Sequence, residues 1–441
     1  MCCARGWIKE LFKNLLSSVS NIILLFILFI HLNISSAAEI SEQTKPNSRW
    51  WKGNLHTHSF WSDGDDFPEM IVSWYAENGY NFLTLSDHNI LSVGDKWITI
   101  PKGNGIIENA YQKYLAKFGR GWVETEEDIE SGPKVRLKPL NEFRSLFESP
   151  GKFLLMQGEE ITARFVNIPV HLNATNLYNL IVPRSGESVR EVIQNNVDAV
   201  YQQRQEIGRP ILVHVNHPNF GWALTAKDIA SVKNEKFFEV YNGHPAVRNY
   251  GDQDHISTEK MWDQILTHRL TSGTGEIIYG LATDDAHNYH QYQMNRSNPG
   301  RGWVMVKATH LSAESIIKAM ENGDFYASTG VKVNLFEIGQ TSYKIEMMPE
   351  DGTTFTTQFI GTTKRDMLTV EVFDGQERNS TNDSLMGKVL AVKQGVKVQY
   401  DFNGDELYVR AKVVSSKKKK NPYSENELET AWLQPVELLS K

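Results

Sequence analysis

What most constrains this chain is a set of short apolar runs that end, one after another, in histidine and carboxylate residues. Candidate strands fall at residues 54–57, 82–86, 153–157, 211–215, 237–241, 277–282 and 303–307, with helical patterns between them. Strands alternating with helices predict repeated βα units and a parallel sheet. Residues 170–174 read as an extra strand, hairpinned to the segment around Glu160. In a barrel of parallel strands the carboxyl ends converge on one face.

His56-Thr57-His58 sits at the first of those ends, where the two-residue period of a strand puts both imidazoles on one side. Paired histidines at a strand end are a metal-ligand arrangement, although an isolated pair arises often by chance. Here the pair has company. Asp63 follows in Trp61-Ser62-Asp63-Gly64-Asp65, and the second strand ends in Ser86-Asp87-His88-Asn89. The third runs into Gly158-Glu159-Glu160-Ile161-Thr162, and the hairpin carries His171. Later runs end in His214-Val215-Asn216-His217-Pro218 and Thr283-Asp284-Asp285-Ala286-His287. Of 13 histidines, seven (His56, His58, His88, His171, His214, His217 and His287) lie at these ends. His255, His268, His290 and His310 have helical or loop contexts and read as structural.

Strand alternation assigns neighbouring carboxylates to different faces. Glu159 is sent away from Glu160, and Asp285 rather than Asp284 shares parity with His287. Asp87 is a candidate for orienting an imidazole, or else a surface or cap residue. His214 shares parity with Asn216, which makes it a proton-shuttle candidate or a satisfied core histidine. Arg164, just beyond Glu160, is a candidate clamp for a substrate oxyanion, or a partner in a surface ion pair. Trp222 and His244 are candidates for the pocket wall.

The 441 residues exceed the usual single-domain size, and 40% apolar with 22% charged residues is ordinary globular composition. Arg5, Lys9 and Lys13 precede an apolar run at residues 22–34 and then Ser35-Ser36-Ala37-Ala38, a signal-peptide layout over residues 1–38. An uncleaved anchor is the alternative. Either way the remainder is expected to be exported, periplasmic or secreted, with no stable membrane insertion once the signal is cleaved. The only cysteines, Cys2 and Cys3, precede that run, so the mature chain is expected to hold neither thiol nor disulfide. Residues 1–38 carry a net +2, so removing them moves the formal charge from −7 to about −9. A mildly acidic surface disfavours broad polyanion binding, leaving nucleic acid possible only as a substrate.

Helix ends are readable as well. Asp66 is a candidate cap for a helix with Pro68 in its first turn and Gly79 at its stop. Residues 188–207 form a long amphipathic pattern closed by Gly208, and residues 312–322 another closed by Gly323. Residues 89–151 are aromatic-rich and too long for a plain connection, so a lid or substrate-shaping insertion is expected. The barrel is expected over residues 46–329. From residue 330 the pattern becomes short strands without a convincing helix, including MLTVEVF at residues 367–373, and predicts a small β-sandwich-like domain over 330–441. Lys417–Lys420 reads as a solvated loop within it.

The ordered set HTHS, WSDG, LSDHN, GEEIT, VHLNATN, VNHPN, EVYNG and TDDAH resembles the polymerase-and-histidinol-phosphatase (PHP) domain, in particular its exported carbaryl-esterase-like branch, over roughly residues 50–330. The resemblance implies a distorted seven-stranded (β/α) barrel. It further implies that His56, His58, Glu160 and Asp285 hold one metal, Asp63, His88 and His287 a second, and His171 and His217 a third, with Glu160 bridging. Two to three divalent ions are expected, and mixed N/O ligation suits Zn, Mn or Fe. Clustered metals imply hydrolysis by a hydroxide formed from a bridging water, without a side-chain nucleophile. No serine elbow or P-loop is evident. A small phosphoester is the expected substrate, or a nucleotide or oligonucleotide end. A carboxylic or carbamate ester is the alternative, and a non-catalytic, metal-stabilised envelope protein is the reading from another class.

Overall fold

Alternating exposure along β1 (Arg49–Asn54) marks a strand with one face in the core, where Trp51 is buried. In the computed structural model, residues 48–128, 130–271, 276–371 and 385–438 are described. The signal-peptide reading and both cysteines lie outside the described residues. No helix among the described residues is long and apolar enough to cross a membrane.

The chain runs on through α1 (Pro68–Glu77), β2 (Phe82–Leu85), β3 (Lys96–Thr99), α2 (Gly105–Phe118), β4 (Thr125–Glu126), β5 (Lys134–Leu137) and α3 (Leu140–Phe147). Next come β6 (Leu154–Phe165), β7 (Ile168–Thr175), α4 (Val189–Ile207), β8 (Leu212–Val215), α5 (Ala226–Ala230), β9 (Phe237–Asn242), α6 (Thr258–Thr271) and β10 (Tyr279–Thr283). They are followed by β11 (Trp303–Ala308), α7 (Ala313–Glu321), β12 (Phe325–Ser328), β13 (Val333–Ile338), β14 (Ser342–Met347) and β15 (Phe355–Thr363). The last elements are α8 (Lys364–Glu371), β16 (Lys388–Gln394), β17 (Lys397–Asp401), β18 (Glu406–Lys418) and β19 (Leu428–Glu437).

The result is a mixed α/β protein with one 13-stranded sheet, ordered β10-β9-β8-β7-β6-β2-β1-β11-β12-β19-β18-β15-β16. β1/β2, β2/β6, β8/β9 and β9/β10 pair parallel, while β7 is antiparallel to both β6 and β8. The expected hairpin at Glu160 is therefore present. The expected closed barrel is not. Among the described residues an isolated bridge, Thr57 to Ala286, takes the place of a strand ladder between the far ends of the arc from β10 to β1, with His58 N donating to Ala286 O and Asp285 N to His56 O, each at 3.0 Å.

Closure fails because the other edge of β1 is occupied by β11, which runs antiparallel to it. The segment at residues 303–307 is thus no seventh parallel strand. The preceding loop turns back on the buried Asp284, whose carboxylate accepts the backbone N–H groups of Gly300, Arg301 and Gly302, and this reversal sets the direction of β11.

Capping explains where the helices begin. Ser188 accepts from Glu191 N and Ser312 from Ser315 N, and Gly208 and Gly323 follow at φ 64° and 77°, as the sequence predicts. At α1 the cap position is Phe67 instead. Asp66 lies one residue earlier, and its carboxylate accepts from Phe67 N at 2.8 Å. One face of α4 buries Val192, Ile193, Val197 and Val200 against Ile161, Val170 and Leu172 of β6 and β7. At about 1.5–3 kcal/mol for each large aliphatic side chain buried, this face holds the glutamate hairpin in place.

The insertion forms its own three-stranded sheet, β3-β5-β4, beside α2 and α3. Its Tyr111, Tyr114, Val135 and Leu137 share a core with Phe60, Trp61 and Phe67. That core braces the loop that carries Asp63.

Beyond β12 the strands are antiparallel and extend the large sheet, with β13-β14-β17 as a separate small sheet. MLTVEVF was expected as a strand, but its described part belongs to α8. The Thr363 hydroxyl accepts from Asp366 N while Asp366 accepts from Thr363 N and Oγ1, a reciprocal cap that starts a helix. The four-lysine run is not a solvated loop either. Lys417 and Lys418 end β18, and Lys419 is buried against Glu427 (3.3 Å) and the Tyr241 hydroxyl.

Candidate metal centre

β1 stops at Asn54, so His56 and His58 lie just past the strand rather than within it. Asn54 Oδ1 accepts from His56 N (3.1 Å), and the bridge to Ala286 keeps the segment extended, so both imidazoles still face the same way. The loop after β10 delivers Asp285 and His287. Asp285 takes φ +50° and His217 φ +21°, backbone strain of about 1–3 kcal/mol each that clusters where ligands must be aimed.

Glu160 is the hub. It is 1% exposed, and its Oε1 lies 3.1 Å from His171 Nδ1, 3.1 Å from His217 Nε2 and 3.5 Å from His56 Nε2. Its Oε2 lies 3.6 Å from His58 Nε2 and 2.7 Å from His88 Nδ1. Asp285 Oδ1 approaches His56 Nε2 at 3.3 Å and His58 Nε2 at 3.2 Å. At the open side, Asp63 reaches His58 Nδ1 (3.6 Å), His88 Nε2 (3.5 Å) and His287 Nε2 (3.4 Å), its side chain 56% exposed. All nine expected ligand residues are brought together. They fall into overlapping groups: His58, Asp63, His88 and His287; His56, His58 and Glu160; His56, His217 and Asp285; and Glu160, His171 and His217.

The longer of these separations, from His56 and His58 to Glu160 and Asp285 and from Asp63 to its three imidazoles, fit a shared cation better than a hydrogen bond. Two ligand atoms bound at about 2.0–2.1 Å in tetrahedral geometry stand about 3.3 Å apart, whereas hydrogen-bonded nitrogen and oxygen peak near about 2.9 Å. His56 Nε2, His58 Nε2 and Glu160 Oε2 are buried without a hydrogen-bond partner. Buried polar atoms in that condition are costly unless a ligand completes them. Nitrogen and carboxylate donors together suit divalent transition metals.

The acids and imidazoles of the cluster are strongly coupled, and His56, His88, His217 and His287 are raised against their burial by the carboxylates beside them. Burial alone would raise the carboxyl pKa of Glu160, but His171 and His56 beside it hold it well below the usual range. Asp285 is depressed in the same way against its own burial, chiefly by His56 and also by the adjacent His58 and His287. His58 is pushed down to about 3 by burial and by His287, which keeps it unprotonated as a ligand must be.

Sequence reasoning assigns no role to Glu239, yet it is the main support behind His56. It is fully buried and accepts from His56 Nδ1 (2.7 Å), Thr283 Oγ1 (2.8 Å), His217 N (2.7 Å) and Asn242 Nδ2 (2.8 Å). Its signals were a lone carboxylate inside an apolar run and its place in the motif EVYNG, to which no ligand role was attached. Simple alternation would separate Glu239 from Asn242, but an irregularity in the β9/β10 register at Val240 brings both to one side. Asn216 and Asn173 are also new: Asn216 Nδ2 donates to Glu160 Oε1 (2.8 Å) and to Asn173 Oδ1 (2.9 Å).

The three acid–base candidates are placed unequally. His214 is fully buried, 3.4 Å from Glu239, with both ring nitrogens unpartnered and its ring 6.4 Å from that of His56. Asp87 does not orient an imidazole directly. It accepts from Ser59 N, Ser59 Oγ and Ser62 Oγ, which fixes the loop between His58 and Asp63. Arg164 is exposed near the hairpin end, one strand face with Glu160 and Thr162.

Phe220 and His244 form a wall. The Phe220 ring lies 5.3 Å from His217 and 6.2 Å from His244, and His244 lies 5.6 Å from His287. Burial pushes His244 down to about 4. Trp222 stacks on His255 at 4.0 Å. Behind this wall the loop between β18 and β19 is latched on: Tyr423 OH accepts from Asn249 Nδ2 (2.7 Å), and Asn249 Oδ1 accepts from Asn242 N (3.0 Å). Asn242 Nδ2 in turn reaches Asp285 Oδ2 (3.1 Å). The loop between β18 and β19 thus touches the site's support.

No family model matches the chain, and no curated protein does. Among solved structures it is similar to a two-domain protein from Bacteroides vulgatus ATCC 8482 containing a predicted PHP-like metal-dependent phosphoesterase. Identity is 13%, coverage 88% of this chain and 96% of that one, and the TM-score 0.36. A predicted metal-dependent phosphoesterase from Bifidobacterium adolescentis ATCC 15703 matches at 12% identity over 53% of this chain and 87% of its own, with a TM-score of 0.26. Likeness of this degree leaves function to the geometry of the site.

Proposed function

We propose that this chain is a metal-dependent hydrolase of phosphoesters, of the PHP kind that its motifs resemble. The observation that carries the reading is Glu160, buried at the centre of five imidazoles, with His56 and His58 held at 3.5 and 3.6 Å from it, beyond the usual hydrogen-bond distance. Overlapping groups of ligand-type residues around Glu160 favour a phosphoryl substrate, because adjacent cations match its several anionic oxygens. The groups Asp63/His88/His287, His56/His58/Asp285 and His171/His217, with Glu160 shared, would hold two to three ions such as Zn, Mn or Fe.

Divalent ions bound there supply Lewis-acid polarisation and make water acidic near neutral pH. The chain's residues supply the rest. Glu239 accepts a hydrogen bond from His56 Nδ1 and so leaves Nε2 to face Glu160 and Asp285. Thr162 Oγ1 lies 2.6 Å from His88 Nδ1 and orients that ring with Nε2 toward Asp63. Arg164, exposed on the face of Glu160, is free to meet an anionic substrate group. His214 lies too deep to touch substrate and backs His56 through Glu239. The exported location inferred from residues 1–38 belongs to the same proposal.

The test is a parallel assay of metal-loaded protein on p-nitrophenyl phosphate, bis-p-nitrophenyl phosphate and a naphthyl ester. The phosphoesters should turn over and a chelator should abolish the activity. Preference for the naphthyl ester would replace the phosphoesterase reading with a carboxylic ester hydrolase.

A further inference from the structure

His244 stands at the ligand cluster and belongs to none of its groups. Its backbone explains why. Asn242 Oδ1 accepts from His244 N (2.8 Å), Val247 N donates to His244 O (3.0 Å), and in the same turn Ala246 N donates to His244 Nδ1 (3.1 Å). An amide N–H only donates, so Nδ1 keeps its lone pair engaged and the ring proton resides on Nε2. Neither nitrogen is left to bind a cation. The ring lies between His287 and Phe220, itself against His217, so it spans the two flanks of the cluster. Among the described residues, Nε2 has no protein partner.

We propose that His244 contacts the substrate, its neutral Nε2–H donating a hydrogen bond to a non-bridging oxygen of the phosphoryl group. This rests on the phosphoesterase reading. A donor fixed in this way stays oriented without reorganisation as charge builds on that oxygen, which is how preorganised donors favour a transition state over a ground state. Pinning by Ala246 also makes the residue a donor rather than a proton shuttle, since Nδ1 cannot accept a second hydrogen without breaking the turn.

The test compares wild type, His244→Phe and His244→Gln as metal-loaded proteins. His244→Phe should lower kcat/KM for p-nitrophenyl phosphate about 100-fold, weaken inorganic phosphate binding measured by calorimetry, and leave the bound-metal count unchanged. His244→Gln, which keeps an N–H donor, should recover much of both losses with the pH profile of wild type. If the phenyl ring prevents folding, His244→Leu replaces it. Phosphate binding as tight in His244→Phe as in wild type would overturn the proposal, as would loss of a metal ion or of one limb of the pH profile. Wild type that hydrolyses no phosphoester would refute the phosphoesterase reading while calorimetry still decides on His244. Wild type that binds no phosphate would overturn both.

Discussion

Glu239→Gln should weaken metal binding without emptying the fold of its core. The carboxylate takes four donors: His56 Nδ1 and Thr283 Oγ1 on Oε1, His217 N and Asn242 Nδ2 on Oε2. Glutamine keeps the shape but offers one acceptor, and its NH₂ must face two donors on the other side. Whichever way the amide turns, the support of either His56 or His217 is lost. Partners that orient ligand histidines are worth about 10–100-fold in metal affinity, or about 1.4–2.7 kcal/mol. Burial also opposes the Glu239 charge, and His56 and the nearby His214 overcome that to hold the carboxyl well below its ordinary range, so it is ionised near neutral pH. Competition against a chromophoric chelator near neutral pH, with thermal melting as a control for folding, measures the loss. A folded variant whose affinity stays within about threefold of wild type would refute the orienting role.

Two predictions concern stability. Glu69 is buried, with Oε1 accepting from the Tyr114 hydroxyl (2.6 Å) and Trp122 Nε1 (3.0 Å), and burial pushes its carboxyl up to about 7. Its folded pKa lies above its unfolded one, so its contribution is fully present below about pH 4.5 and is lost as pH rises to about 7. Glu69→Gln should match wild type in acid and exceed it at pH 8 by up to about 3 kcal/mol. Melting curves that stay parallel across that range would contradict this. Val166, exposed at the tip of the β6/β7 hairpin, sits at φ +54°, where a β-branched residue is strained. Val166→Gly should raise stability by about 1 kcal/mol in chemical denaturation, and an unchanged or lower midpoint would count against strain there.

Much of the site was legible because ligand residues follow strand ends, and strand ends are marked by where apolar runs stop. His88, His217 and Asp285 all obey this, whereas Glu160 lies inside β6, which runs on to Phe165. Glu239 does not obey it either, because the irregularity at Val240 changes which face it occupies, and nothing local in FFEVYN marks such a shift. Sheet closure was hidden for a different reason. The direction of β11 is set by Asp284 gathering three amides from a loop 16 to 18 residues further on, a contact that periodicity cannot reveal. The described part of MLTVEVF shows the same limit at short range. Its β-branched residues favour a strand, and the cap at Thr363 and Asp366 starts a helix there instead.

The most direct test of the central claim is metal stoichiometry of the purified chain by elemental analysis, paired with Glu160→Ala. Because Glu160 faces His56, His58, His88, His171 and His217, its loss should remove shared ligation from every group it joins. Wild type should carry about two to three divalent ions, and Glu160→Ala should lose at least one with its phosphoesterase activity. A folded wild type holding less than one ion in metal-replete buffer, or a Glu160→Ala variant with full metal content and activity, would contradict the account.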